Sequence, residues 1–293
     1  MRTGAGVVAY DAVTGTMVVH PKGWDDAAPP DTSKPNAVAT MSYVAYFKTG
    51  ADAVKRPLTF LFNGGPGSAT LWLHMGAFGP RRVVTNDHTH TPGAPYQVVE
   101  NDQSLLDVSD LVVVDMPGTG FGRLRGKDKE KAFYGVDQDI HAVTVFIHDF
   151  LTKYDRWNSP KYVFGESYGT MRGAGLALAL PGESIDLNGL MLLSCILNWD
   201  TMPDDPQLNP SIDEPYIVSL PTYAATAWYH HKLPTAPAAL QSFLAEVERF
   251  ATNEDALALL QGNALAEAQR QAIAAKLHEY TGLPVAYLLK TNL

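Results

Sequence analysis

The sequence predicts an α/β fold in three layers, a mostly parallel central sheet with helices packed on it, followed by a helical insertion or lid. Three observations predict it. Short continuous apolar runs, PLTFLF (57–62), DLVVVDMPG (110–118), KYVFGES (161–167) and LNGLMLLSCIL (187–197), read as strands covered on both faces. Helical periodicity falls between them, so strand and helix alternate in the order that right-handed crossovers require. Beyond about residue 200 the strand signal stops and segments rich in Ala, Leu, Glu and Gln take over. The core is therefore expected over residues 1–200 and the insertion over 201–293.

Each element has its own justification. GVVAYD (6–11), GTMVVHP (15–21) and ATMSYVAYFKTG (39–50) read as β structure, the last alternating like a half-exposed strand, with a Pro-rich loop at 25–36. In VDQDIHAVTVFIHDFLTKYD (136–155), Val136, Ile140, Val143, Ile147, Phe150 and Tyr154 recur at spacings of four and three, which predicts an amphipathic helix. Asp137 and Asp139 at its start and Lys153 near its end match the helix dipole. MRGAGLALALP (171–181) predicts a second, closely packed helix. A Pro-rich connection (200–215) leads to helical segments at 240–251, 253–262 and 264–282, the last stopping at Gly282 with Pro284 behind it.

Bulk properties exclude several function classes. With 293 residues, 46% hydrophobic and 18% charged, the chain buries a sizeable core. A formal net charge of −9 with scattered basic residues leaves no phosphate-tracking stripe, so nucleic acid is not an expected partner. The single cysteine, Cys195, rules out an internal disulfide and is expected as a small buried hydrophobe. No run reaches the roughly 20 apolar residues of a membrane span, and MRTGAGVVAYDAVTG has no signal-peptide stretch.

Chemistry concentrates in two places. Gly165-Glu166-Ser167-Tyr168-Gly169 is a G-x-S-x-G between an apolar run and a helix former, the strand-turn-helix context of an α/β-hydrolase nucleophile. A glycine-rich helix start used only for packing is the alternative. A nucleophilic serine needs an oxyanion site, built in this fold from the N–H after the serine and one from the loop after an earlier strand. NGGPG (63–67) supplies such a loop, so the N–H groups of Gly65 and Tyr168 are expected to converge, with Gly64 and Gly67 letting backbone approach.

NGGPGS, VVVDMPGTGFGR and FGESYGT, in that order, resemble the serine carboxypeptidases, over roughly residues 40–200. The resemblance implies an α/β-hydrolase that removes the C-terminal residue of peptides through an acyl-enzyme on Ser167, with a peptide bearing a free C-terminus as partner. It implies that Asn63 and Glu166 bind the terminal carboxylate. Two acids at contact distance cannot both ionise, so such a site shares one proton and favours acidic pH. Leu61, Ser68 and Ala77 stand where many members have Trp, Cys and an acidic residue, as in disulfide-poor bacterial-type members. The family suggests a periplasmic or secreted setting, which the N-terminus does not itself signal.

Chain order in this fold is Ser, then Asp, then His. After Ser167 the histidines are His230, His231 and His278, all in helix-like sequence, and the acids Asp200, Asp204, Asp205 and Asp213 lie in the Pro-rich connection. The catalytic Asp and His, with the last strands of the fold, are therefore expected beyond residue 293. A prolyl aminopeptidase-like or esterase-like hydrolase, or a catalytically incomplete binding module, are the other readings. No cofactor or metal is expected: His141 and His148 lie about 10.5 Å apart along a helix, and His88 and His90 in NDHTHTPG have no third ligand nearby.

Overall fold

The computed structural model describes residues 1–3, 6–25, 27, 35–86, 89–202 and 212–293. In chain order the strands are β1 (Arg2–Thr3), β2 (Gly6–Val7), β3 (Tyr10–Val19), β4 (Val38–Lys48), β5 (Leu58–Phe62), β6 (Arg81–Val83), β7 (Val98–Glu100), β8 (Asp110–Asp115), β9 (Arg123–Arg125), β10 (Lys161–Glu166) and β11 (Gly189–Leu193). The α-helices are α1 (Lys129–Phe133), α2 (Val136–Lys153), α3 (Tyr168–Ala179), α4 (Glu214–Tyr229), α5 (Leu240–Phe250), α6 (Ala256–Gln261), α7 (Glu267–Thr281) and α8 (Val285–Thr291). Two compact units divide the chain, Met1–Leu197 and Asn198–Leu293.

A seven-stranded sheet organises the first unit, in the order β11-β10-β5-β8-β4-β3, with β9 paired to β4. β11, β10, β5 and β8 pair in parallel, whereas β4 is antiparallel to β8, β3 and β9. β4 thus runs against the other strands of the sheet, and the half that carries the motifs is wholly parallel. Two-residue alternation assigns the faces. Leu58, Phe60 and Phe62 of β5, Val112 and Val114 of β8 and Val163 of β10 meet Val143, Phe146, Ile147 and Phe150 of α2 and Leu176 of α3. Leu61, Leu111, Val113 and Phe164 point the other way, against Leu73 of the helical turn Trp72–Phe78, Leu106 and Val8. Helical cover on both faces makes the three-layer fold that the continuous apolar runs imply.

Several elements differ from the sequence reading. β3 runs unbroken through Gly15, which pairs with Tyr43 across β4. A Cβ on Gly15 would stand 2.8 Å from the Tyr43 hydroxyl, so this glycine makes room for a ring rather than a turn. β11 ends at Leu193, and Leu192 and Leu193 are exposed. Ser194 then takes a φ of 52°, which carries Cys195 out of the strand line. Cys195 is exposed, not the buried hydrophobe expected of an apolar run.

A charged cluster joins the strand ends opposite the motifs. Asp110, at the start of β8, accepts from Arg56 Nε at 3.2 Å and from an Arg156 guanidinium nitrogen at 2.7 Å, all three side chains being buried. The remaining guanidinium donors reach the carbonyls of Leu106, Asp107 and Arg56 and the hydroxyl of Ser159.

The second unit is helical with its own core, in which Leu220 and Ala224 of α4, Phe243, Val247 and Phe250 of α5, Ile273 and Leu277 of α7 and Leu288 of α8 pack together. α7 stops at Gly282, whose φ of 72° and N–H bond to the His278 carbonyl form the cap that its sequence predicts. α4 continues through Pro221, a residue that ordinarily ends a helix, and the sequence reading gave this helix no bounds. Among the described residues no helix is long and apolar enough to cross a membrane.

Candidate active site

Ser167 lies between the end of β10 and the first residue of α3, with φ 56° and ψ −125°. This is a strained conformation for a residue with a side chain, costing about 1–3 kcal/mol, and surrounding bonds hold it. Ser167 N–H donates to the Leu193 carbonyl of β11 at 2.9 Å, and the Ser167 carbonyl accepts from the N–H and hydroxyl of Thr170 at 2.8 and 2.7 Å. The motif glycines are steric necessities. A Cβ on Gly165 would stand 2.1 Å from the Gly169 carbonyl oxygen, and one on Gly169 would stand 3.0 Å from that of Phe62.

β5 is the neighbour of β10, in register with Phe62 beside Gly165, so the NGGPG loop emerges next to the serine turn. Contact between them is close. A Cβ on Gly64 would stand 2.4 Å from the Tyr168 nitrogen and 2.6 Å from the Glu166 carbonyl oxygen. Gly65 has a φ of 108°, and among the described residues its N–H has no hydrogen-bond acceptor. Gly67 differs from expectation: nothing lies within 4 Å of its Cβ position, and it is glycine because its φ is 100°.

Asn63 is held at nearly every polar atom. Its N–H donates to Thr70 Oγ1 at 3.3 Å, its Oδ1 accepts from Leu73 N–H at 3.1 Å, and its Nδ2 donates to Glu166 Oε2 at 2.9 Å. Its carbonyl accepts from Arg172 at 2.9 Å. Thr70 is fixed in turn, its hydroxyl donating to the Val114 carbonyl and its N–H to Asp115 Oδ1 at 2.9 Å, while Ser42 Oγ donates to Asp115 Oδ2 at 3.0 Å. Asn63 is buried and Glu166 half-buried, so Glu166 is the more accessible of the two.

Two residues the sequence reading missed lie beneath the serine turn. Arg172, the largest fully buried side chain among the described residues, donates from Nε to Asp139 Oδ2 at 2.7 Å. Asp139 therefore faces inward as a counter-ion instead of only complementing the α2 dipole. The guanidinium lies over the rings of Phe62 and Tyr168, 5.0 and 5.2 Å from their centroids. Burial, followed by the Asp139 charge, pushes the Tyr168 phenol up to about 12, so it stays a neutral donor toward Asp139. A cavity of about 430 Å³ opens beside this group, lined by Pro66, Met116, Phe133, Tyr134, Tyr168 and the Asp139–Arg172 pair among others. A charged residue on the inward face of α3, where apolar residues would suffice, is the sequence signal that could have flagged it.

Among the described residues no histidine hydrogen-bonds Ser167. His148 Nδ1 lies 3.0 Å from Asp149, and His278 Nδ1 lies 2.8 Å from the Leu283 carbonyl. His74 meets the Tyr46 hydroxyl at 2.7 Å, and burial holds it below the usual imidazole range, partly opposed by Asp115. His230, His231, His278, Asp200 and Asp213 belong to the second unit. His90 is exposed, whereas His88, Asp204 and Asp205 lie outside the described residues.

Known proteins resemble this chain in sequence and in fold. The chain is 35% identical over 103 residues to the pheromone-processing carboxypeptidase KEX1 of Saccharomyces cerevisiae, a match spanning 34% of this chain and 13% of that protein. The crystal structure of Kex1(delta)p, a prohormone-processing carboxypeptidase from Saccharomyces cerevisiae, matches with a TM-score of 0.50 at 19% identity, covering 91% of this chain and 53% of that one. The chain thus spans about half the length of that structural relative, and its fold is that of an α/β-hydrolase. The model of the serine carboxypeptidase family matches residues 34–192, more than half of the chain, through β5, the glycine loop and the serine turn, and this chain belongs to that family.

Proposed function

We propose that this chain bears the nucleophile, oxyanion site and carboxylate-binding pair of a serine-type carboxypeptidase. Ser167 Oγ attacks the carbonyl of the last peptide bond, the N–H groups of Gly65 and Tyr168 receive the oxyanion, and the C-terminal amino acid leaves an acyl group on Ser167. Water then cleaves the ester. Glu166, held by Asn63, meets the terminal carboxylate of the substrate with one proton shared between the two acids, so acidic pH favours binding.

The observation that carries this reading is the 2.9 Å bond from Asn63 Nδ2 to Glu166 Oε2, immediately before the strained serine. An amide donor and an ionisable acid side by side next to Ser167 suit a substrate ending in a carboxyl group, which supports this reading. The test compares N-blocked dipeptides with free and amidated C-termini, with Ser167→Ala and Glu166→Gln as controls. A preference of tenfold or more for the free terminus, reduced by Glu166→Gln and abolished by Ser167→Ala, is expected. Equal rates on both substrates, or neither turnover nor fluorophosphonate labelling of Ser167, would overturn it.

A further inference from the structure

The two halves of the site follow strands separated by 98 residues, from Phe62 at the end of β5 to Lys161 at the start of β10, and one side chain touches both. Arg172 sits on α3, five residues after Ser167, so it moves with the nucleophile's helix. Its guanidinium reaches the carbonyl of Asn63, the residue before Gly64 and Gly65, at 2.9 Å. That carbonyl belongs to the peptide unit that ends in Gly64 N–H, so fixing it sets the plane adjoining the one that carries Gly65 N–H. The same guanidinium lies over the ring of Tyr168, whose N–H is the other donor of the proposed oxyanion site.

We propose that Arg172, with Asp139 as its counter-ion, is a positioning residue that holds the glycine loop in register with the serine turn without touching substrate. The inference rests on the acyl-transfer reading of Ser167. A planar guanidinium suits the task because its donors have fixed directions, one toward Asp139 at 2.7 Å and one toward Asn63. Phe62 and Tyr168 flank it, which limits its rotation. Lysine offers a point charge without that fork, and methionine fills the space without either bond. Buried ion pairs replaced on both sides by apolar residues often leave stability unchanged, so this pair's effect on geometry can be separated from its effect on folding.

Three variants of the full chain test the inference: Arg172→Lys, the double variant Arg172→Met with Asp139→Leu, and Arg172→Gly. Each is measured by thermal unfolding, by the amide resonances of Gly64 and Gly65, and by kcat and KM on a small ester. The double variant should melt within a few degrees of the parent, yet shift or broaden both glycine resonances and lose at least tenfold in kcat with KM within about twofold. Arg172→Lys should resemble it. Since the cavity beside the pair is lined by Arg172 and Asp139 and has exposed Tyr134 and Val136 at its wall, guanidinium at tens of millimolar should enter Arg172→Gly and restore the resonances, where sodium does not. A folded double variant with unchanged glycine resonances and kcat overturns the inference. If the parent neither hydrolyses the ester nor takes fluorophosphonate at Ser167, the acyl-transfer reading fails, while the resonances and their guanidinium response still decide whether Arg172 positions the loop.

Discussion

Substituting Gly64 by Ala puts a methyl group where backbone already is. Its Cβ would lie 2.4 Å from the Tyr168 nitrogen, 2.6 Å from the Glu166 carbonyl oxygen and 2.9 Å from the Gly169 nitrogen. These are main-chain atoms of a strained turn, so no side chain can rotate away, and the first contact is about 1 Å short of van der Waals distance. Overpacking of this kind costs about 1–3 kcal/mol, or about 2–12 °C in melting temperature for a unit of this size. The functional cost is larger. A displacement of about 1 Å between loop and serine turn misplaces an oxyanion donor, and losing one donor lowers turnover about 10²–10³-fold. Gly67→Ala is the control, because its Cβ position is open and only the φ of 100° is unfavourable. The assay is ester or peptide hydrolysis, paired with the rate of fluorophosphonate labelling at Ser167 and with a thermal melt. Gly64→Ala with labelling within threefold of the parent and an unchanged melt would refute the argument that the loop and turn are in contact.

Three other outcomes follow from the structure. Asp110→Asn leaves Arg56 and Arg156 buried without their shared counter-ion and should lower unfolding stability by about 3–5 kcal/mol in urea titration, a change under 1 kcal/mol counting against the cluster's importance. Asp255, buried in the helical unit, is pushed by burial up to about 6 from a usual 3.8. The folded state therefore binds the extra proton, and stability falls as pH rises from about 4 to 6, by up to about 3 kcal/mol. Asp255→Asn should flatten that decline and raise stability at pH 7, and an unaltered pH profile would contradict it. Cys195, being exposed, should react with a soluble disulfide reagent at one thiol per chain without denaturant, whereas reaction only after unfolding would place it inside.

Local chemistry made part of this molecule readable in advance. Leu58–Phe62 and the run 111–114 announce doubly covered strands because every side chain is apolar or small, and the glycines around Ser167 announce a turn that tolerates no Cβ. What escaped depends on partners remote in sequence. Asp139 looks like a dipole-matching first-turn residue until Arg172, 33 positions later, reaches it. Gly15 looks like the start of a separate strand until β3 runs through it with Tyr43 alongside. The exposure of Cys195 follows from where β11 stops, and Ser194 with its positive φ gives no sign of that in an apolar run. Pro221 within α4 shows that tertiary packing can override a helix-ending residue.

The meeting of the two motifs is a consequence of strand register. β5 is bounded in the sheet by β8 on one side and β10 on the other, though neither follows it directly in the chain. With Phe62 beside Gly165, the next residues along the two parallel strands are Asn63 and Glu166, which is why residues 103 positions apart share a hydrogen bond. With Leu61 beside Val113, Asp115 ends β8 near the same rim, where it accepts from Thr70. Strand carboxyl ends are where open α/β sheets gather their polar groups, and here three of them do so. A one-residue slip of β5 would turn Asn63 to the face opposite Glu166 and bring the wrong peptide against the serine turn. The burial of Leu58, Phe60 and Phe62 against α2 prevents that slip, so these three apolar side chains belong to the site as much as the serine does.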